Sequence, residues 1–171
     1  IEMLDKSAPL HDIGKVGIPD KILLKPGKLT GEEFEIIKTH TTNGRNLIRS
    51  SVRQFGKISF LNIAEEIAYT HHEKWDGSGY PQGLKGDAIP ISGRLMALAD
   101  VYDALISRRV YKEGMPHEQA AAIIAEGRGS HFDPDVVDAF LQIEQTFITI
   151  ANRYRDSDQA LQAKADAHHQ P

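Results

Sequence analysis

Apolar residues recur at three- and four-residue steps along most of this chain. That is the period of an amphipathic helix, not the alternation of a half-buried strand. Between Lys57 and His71, the residues Ile58, Leu61, Ala64, Ile67 and Ala68 fall on one face. Farther on, Ile91, Leu95, Leu98, Tyr102 and Leu105 repeat the spacing and predict a second buried stripe. Thr30-Gly31-Glu32-Glu33 has the form of a capping box, with threonine at the cap and glutamate three residues on. It predicts a helix running to about Ser50. A shorter helix is expected from about Pro116 to Glu126. Asp133-Pro134 combines an N-cap side chain with proline at the first helical position. The helix it starts is expected to run to near Tyr154. The opening residues, to about Leu10, read as the end of another helix. No segment carries a convincing strand pattern and no internal repeat is present, so the expected fold class is all-α.

Two stretches interrupt the helical pattern. Residues Gly14 to Gly27 hold three glycines and two prolines and predict an ordered loop. Trp75 to Pro90, with Gly77, Gly79, Gly83, Gly86 and Pro81, predicts a loop with fixed turns. Pro90 then suits the first turn of the next helix. The end of the chain is polar and alanine-rich with little to bury. The expected organisation is one folded domain over residues 1–155 and a flexible tail over 156–171. The chain opens on Ile1 in an already helical pattern and is expected to be the C-terminal fragment of a longer protein.

Composition narrows the classes. The 171 residues are 40% hydrophobic and 26% charged, ordinary for a soluble globular domain with a core of its own. No apolar run approaches the roughly 18 residues a membrane span needs. No basic-then-apolar leader opens the chain. A formal net charge of −4 argues against a broad surface for duplex nucleic acid. There is no cysteine, which excludes disulfides and fits a reducing compartment, so a cytoplasmic location is expected.

The candidate chemistry lies in His11-Asp12, His40, the doublet His71-His72, and Asp100. Four of the eight histidines fall in this set. Buried imidazoles and carboxylates need partners, and a shared metal would supply one. Imidazole and carboxylate ligands suit iron, manganese, zinc and nickel. Neighbouring side chains on a helix diverge by about 100°. His71 and His72 could therefore serve one metal at a helix end, or two metals on either side of it. His117, His131, His168 and His169 read as ordinary surface or core histidines. Lys25 and Lys28 read as a solvated turn. The glycines of the Gly77–Gly86 loop are not followed by the lysine-serine pair of a P-loop.

The string His11-Asp12-Ile13-Gly14-Lys15 resembles the signature of HD-type metal-dependent phosphohydrolases. The string running from His71-His72-Glu73 through Asp76-Gly77-Ser78-Gly79-Tyr80-Pro81 is more restrictive. Together they resemble the HD-GYP family of bacterial cyclic-di-GMP phosphodiesterases. Lys25 to Thr30, Arg94, Ala99 to Leu105 and Arg109 to Lys112 extend the resemblance, which covers Ile1 to about Phe140. It implies an all-α helical bundle that extends the basic HD domain. His11, Asp12, His40, His71, His72 and Asp100 match the family's metal ligands, with Asp12 the bridging one. Lys15 matches a lysine beside the substrate phosphate and the bridging water, so Asp12 and Lys15 are the expected catalytic residues. Arg109 and Lys112 match residues that grip phosphate and guanine, and Tyr80 and Arg94 are expected at the substrate too. Two or three divalent metals are implied, iron or manganese. The implied reaction opens cyclic-di-GMP to the linear dinucleotide pGpG, in some members onward to GMP.

The resemblance also implies partners: a receiver domain upstream, as in response regulators, and a diguanylate cyclase docking on the GYP loop. Some members act instead on cyclic GMP-AMP. The family pattern has proline after the arginine where this chain has Val110, and a helix before His11 supplies further ligands that this chain starts too late to hold. Two competing readings are a non-enzymatic module that binds a cyclic dinucleotide or a partner, and an HD phosphohydrolase of ordinary nucleotides. The first predicts lost ligands, and from His11 onward none is lost. Tyr80-Pro81 and Arg109 to Lys112 weigh against the second.

Overall fold

The computed structural model describes residues 1–56, 59–107 and 114–153. Among these the regular structure is helical, apart from one isolated bridge between Arg128 and Phe132. The helices are α1 (Glu2–Ser7), α2 (Asp20–Leu23), α3 (Gly31–Phe55), α4 (Ser59–Thr70), α5 (Ile91–Ile106), α6 (His117–Glu126) and α7 (Pro134–Gln142). The expected all-α class holds.

The capping box forms as the sequence predicts. Thr30 accepts from the Glu33 backbone N–H, and Glu33 accepts from the Thr30 backbone N–H. Lys25 is tied to the same glutamate at 2.6 Å, which closes the preceding turn onto α3. The helix continues to Phe55, past the expected end near Ser50. On α4 the anticipated face packs from Leu61 onward; Ile58 lies outside the described residues. Ala64, Ile67 and Ala68 are buried, with Ala64 and Ala68 joining Ile48 of α3. This α3–α4 layer carries the histidines. A second cluster joins Leu98 and Tyr102 of α5 to Ala120 and Ile124 of α6 and Val137 and Phe140 of α7.

Three expectations are corrected. The Gly14–Gly27 stretch is not loop throughout. It contains a 3₁₀ segment at Ile13–Gly17 and the single turn α2. The α5 stripe is buried only in its middle: Leu98 and Tyr102 are in the core, but Ile91 is 54% and Leu95 39% exposed. Ile91 is the first residue of its helix, and Leu95 lines an open apolar groove with Leu4 and Met96. Finally, α7 stops at Gln142, well before Tyr154. Ile143 leaves helical geometry at φ −115°, ψ 18°, and residues 144–153 are helical again. In a straight helix, residues seven apart rise about 10.5 Å. The break instead brings the Phe140 and Phe147 rings to 4.8 Å and sets Phe147 edge-on to Tyr102 at 5.2 Å. The expected tail, 156–171, lies outside the described residues.

Candidate metal centre

Four pieces of chain meet at one place. His11 caps a 3₁₀ turn at Ala8–Leu10, and Asp12 caps the next, which carries Lys15. His40 projects from the middle of α3, and His71-His72 form the turn that ends α4. Asp100 comes from α5. What lets the His11–Lys15 turn approach α3 is Gly14. A Cβ there would lie 1.9 Å from the His40 carbonyl oxygen and 2.4 Å from the Gly44 nitrogen. Only a residue without a side chain fits that contact.

The imidazoles are oriented in one way. Nδ1 of His11 donates to the Ala8 carbonyl at 2.8 Å. Nδ1 of His40 donates to Ile37 at 2.6 Å, and Nδ1 of His71 to Ile67 at 2.9 Å. A carbonyl can only accept, so in each ring Nδ1 carries a hydrogen, and in the neutral rings of His40 and His71 Nε2 then presents its lone pair. Those lone pairs converge. The Nε2 atoms of His40 and His71 lie 3.4 Å apart. Asp12 Oδ1 sits 3.5 Å from the first and 3.9 Å from the second. Its other oxygen lies 3.2 Å from His11 Nε2 and also meets Lys15 Nζ. Asp100 Oδ1 approaches His11 Nε2 at 3.8 Å. One ligand atom from each of His40, His71 and His72 can be chosen so that all lie within 4.8 Å of one another.

Acceptors facing acceptors are unfavourable unless a cation lies among them. Asp12 Oδ1 is buried and has no hydrogen-bond partner. Burial pulls His71 down to about 4, and His72 further still, with the other histidines adding repulsion. Burial also lowers His40. These rings are held neutral, the form in which imidazole binds metal. Around Asp12, burial opposes ionisation, but hydrogen bonds from His11 and Lys15 outweigh it and hold the carboxyl well below its usual range. Burial likewise disfavours a charged His11, yet the bonds to Asp12 and Ala8 and the nearby carboxylates raise it. Burial raises Asp100, with Asp12 repulsion adding to it against the pull of His11. The donor set is nitrogen and oxygen without sulfur, with the far nitrogen of three rings fixed by a carbonyl. It fits a divalent transition metal.

Tyr80 forms one wall, stacked on the His72 ring at 4.8 Å. Burial and the charges of Asp100 and Asp12 keep its phenol neutral. Arg94, expected at the substrate, is held by two carboxylates. It pairs with Asp133 at 2.7 Å and Asp87 at 3.1 Å, tying α5 to the cap of α7. Arg109 and Lys112 lie outside the described residues. Reading the sequence alone left Glu73 without a role. It is buried at the foot of the glycine-rich loop, accepting from the Gln82 and Leu84 backbone N–H groups. The available signal was a carboxylate set directly between a histidine doublet and a glycine-rich loop. His117 keeps its ordinary reading, packed in the core and bonded to the Tyr102 hydroxyl at 2.9 Å.

A family model described as "HD domain" matches residues 2–136. The chain belongs to the HD-domain family. Its Tyr80-Pro81 loop and the names of its relatives agree with the HD-GYP branch. This HD domain is 63% identical over 157 residues, 92% of the chain, to a cyclic di-GMP phosphodiesterase of Vibrio cholerae, covering 32% of that protein. It is 47% identical over 87% of the chain to a 3'3'-cGAMP-specific phosphodiesterase of the same organism, covering 28% of it. The HD domain thus spans about a third of the length of the curated relatives it matches. Its fold matches the crystal structure of a cyclic GMP-AMP-specific phosphodiesterase of V. cholerae with a TM-score of 0.58 at 20% identity. That match covers 88% of this chain and 42% of the other. Among the described residues no helix is long and apolar enough to cross a membrane.

Proposed function

We propose that the chain is the catalytic part of a metal-dependent phosphodiesterase acting on a cyclic dinucleotide, with cyclic-di-GMP as the substrate. The observation that carries this is the buried, partnerless Asp12 oxygen facing the lone pairs of His40 and His71. His11, Asp12, His40, His71, His72 and Asp100 would hold two or three divalent metals, iron or manganese. When bound, such metals lower the pKa of water to about 7 and offset charge on a phosphate. Asp12 offers one oxygen to the His40–His71 side and one to the His11 side, as a bridging carboxylate would. Lys15, half-exposed beside Asp12, is placed to meet a phosphate oxygen as a point charge. Tyr80 supplies a neutral hydroxyl and an aromatic face. Arg109 and Lys112 would add the phosphate and guanine contacts. The product is the linear dinucleotide pGpG, with GMP after a second cut.

The relative named as a cyclic di-GMP phosphodiesterase, 63% identical, supports this substrate over others. The relative named as a 3'3'-cGAMP-specific enzyme supports cyclic GMP-AMP as the second reading. An upstream receiver domain, docking of a diguanylate cyclase on the GYP loop and a cytoplasmic location remain parts of the same proposal. His11→Ala and Asp12→Ala in the full-length protein should each abolish release of the linear dinucleotide while leaving the far-ultraviolet helical signal intact. Wild-type turnover by either variant would reject the metal-centre mechanism.

A further inference from the structure

Glu73 follows the histidine doublet directly, and its side chain is 1% exposed. Burying a carboxylate is costly unless both oxygens are hydrogen-bonded. Here Oε1 accepts from the Gln82 N–H at 2.7 Å and Oε2 from the Leu84 N–H at 2.9 Å. An amide in the same place could accept at only one atom. The glycine-rich loop is wrapped around this group. The Gly77 N–H donates to the Lys74 carbonyl at 2.8 Å, and the Gly86 N–H to Trp75 at 2.9 Å. Gly79 presses its backbone on the same turn, so closely that a Cβ would lie 2.3 Å from the Lys74 nitrogen. The loop then returns to the histidines. The Tyr80 N–H donates to the His72 carbonyl at 3.1 Å, and its ring stacks on the His72 ring.

We infer that Glu73 is a positioning residue for the centre. By holding residues 77–86 from inside, its carboxylate sets Tyr80 against His72 and steadies the turn from which His71 and His72 project. The inference rests on the proposed phosphodiesterase reading for its catalytic consequence, but not for its structural one.

The test is Glu73→Gln in the full-length, metal-loaded protein, a change of nearly equal shape that leaves one acceptor and turns an NH₂ group on the other N–H. The Gln82 and Leu84 amides should exchange with solvent faster than in the wild type while the helical signal stays unchanged. At equal metal occupancy, kcat/KM on cyclic-di-GMP should fall roughly 10–100-fold, the usual loss when a ligand's supporting bond is removed. Combining Glu73→Gln with Tyr80→Ala should lose less than the product of the two single losses, since both act through one loop. Gly79→Ala, which disturbs the loop and leaves the carboxylate, should reproduce the pattern if Glu73→Gln fails to fold. Wild-type kcat/KM, or losses that multiply independently, would overturn the inference. If the wild type hydrolyses no cyclic dinucleotide, the functional reading fails by itself. The positioning role then stands or falls on amide exchange and metal affinity, and wild-type values of both would overturn it.

Discussion

Asp12 is the residue on which the centre turns. One oxygen meets Lys15 and His11, and the other is buried opposite two imidazole lone pairs. That separation of duties predicts different outcomes for its two neighbours. Lys15→Gln should leave metal content unchanged, because ammonium is not a ligand, yet lower kcat/KM by about ten- to a hundredfold through lost phosphate contact. Metal analysis alongside initial rates checks this, and loss of metal from the variant would make Lys15 structural. The candidate ligands were readable in the chain, because His11-Asp12, His40, His71-His72 and Asp100 are distinctive residues in a helical pattern. Their convergence was not readable from spacing. It depends on contacts between residues up to 89 positions apart, as His11 and Asp100 are. Nor was the pairing of Arg94 with Asp133, 39 residues on.

At the scale of elements, local signals fared best where the determinant is local. The capping box needs only Thr30 and Glu33, and the helix began there. Thr30→Ala should therefore cost about 1 kcal/mol of stability, measurable as a shift of the denaturation midpoint. The end of α7 was misread because nothing near Ile143 breaks a helix by itself. The break serves the packing of Phe147 on Tyr102 and Phe140. The close approach of the Ile13–Gly17 turn to α3 has a sharper requirement. Gly14→Ala forces the turn away from the His40 carbonyl. It should destabilise by about 1–3 kcal/mol, as overpacking does, and weaken metal binding because Asp12 moves with the turn. Unchanged thermal midpoint and metal affinity in Gly14→Ala would show that the turn is not held by this contact.

For the whole molecule, the centre joins the α1–α4 part of the chain to α5, since Asp100 meets His11 across it. A metal there would act as a cross-link between the two hydrophobic clusters, and binding to the folded state alone adds stability by mass action. At a free metal concentration a hundred times Kd the gain is about 2.7 kcal/mol. Chelation should accordingly lower the melting temperature of the wild type and leave that of Asp12→Ala unmoved. The apolar clusters needed to build this frame were largely visible as helical stripes. The second half was less so, because the exposed Ile91 and Leu95 lie on the same periodic face as the buried Leu98 and Tyr102. Periodicity identifies a face, but not how far along it the neighbouring helices reach.

The central claim is that these residues form a metal centre that cuts a cyclic dinucleotide. The most direct measurement is metal content together with hydrolysis of cyclic-di-GMP, on full-length protein purified without oxygen, with 3'3'-cGAMP assayed in parallel. The account predicts two or more equivalents of iron or manganese per chain and turnover that disappears on chelation and returns with metal. Protein without stoichiometric metal, or turnover indifferent to its removal, would contradict it.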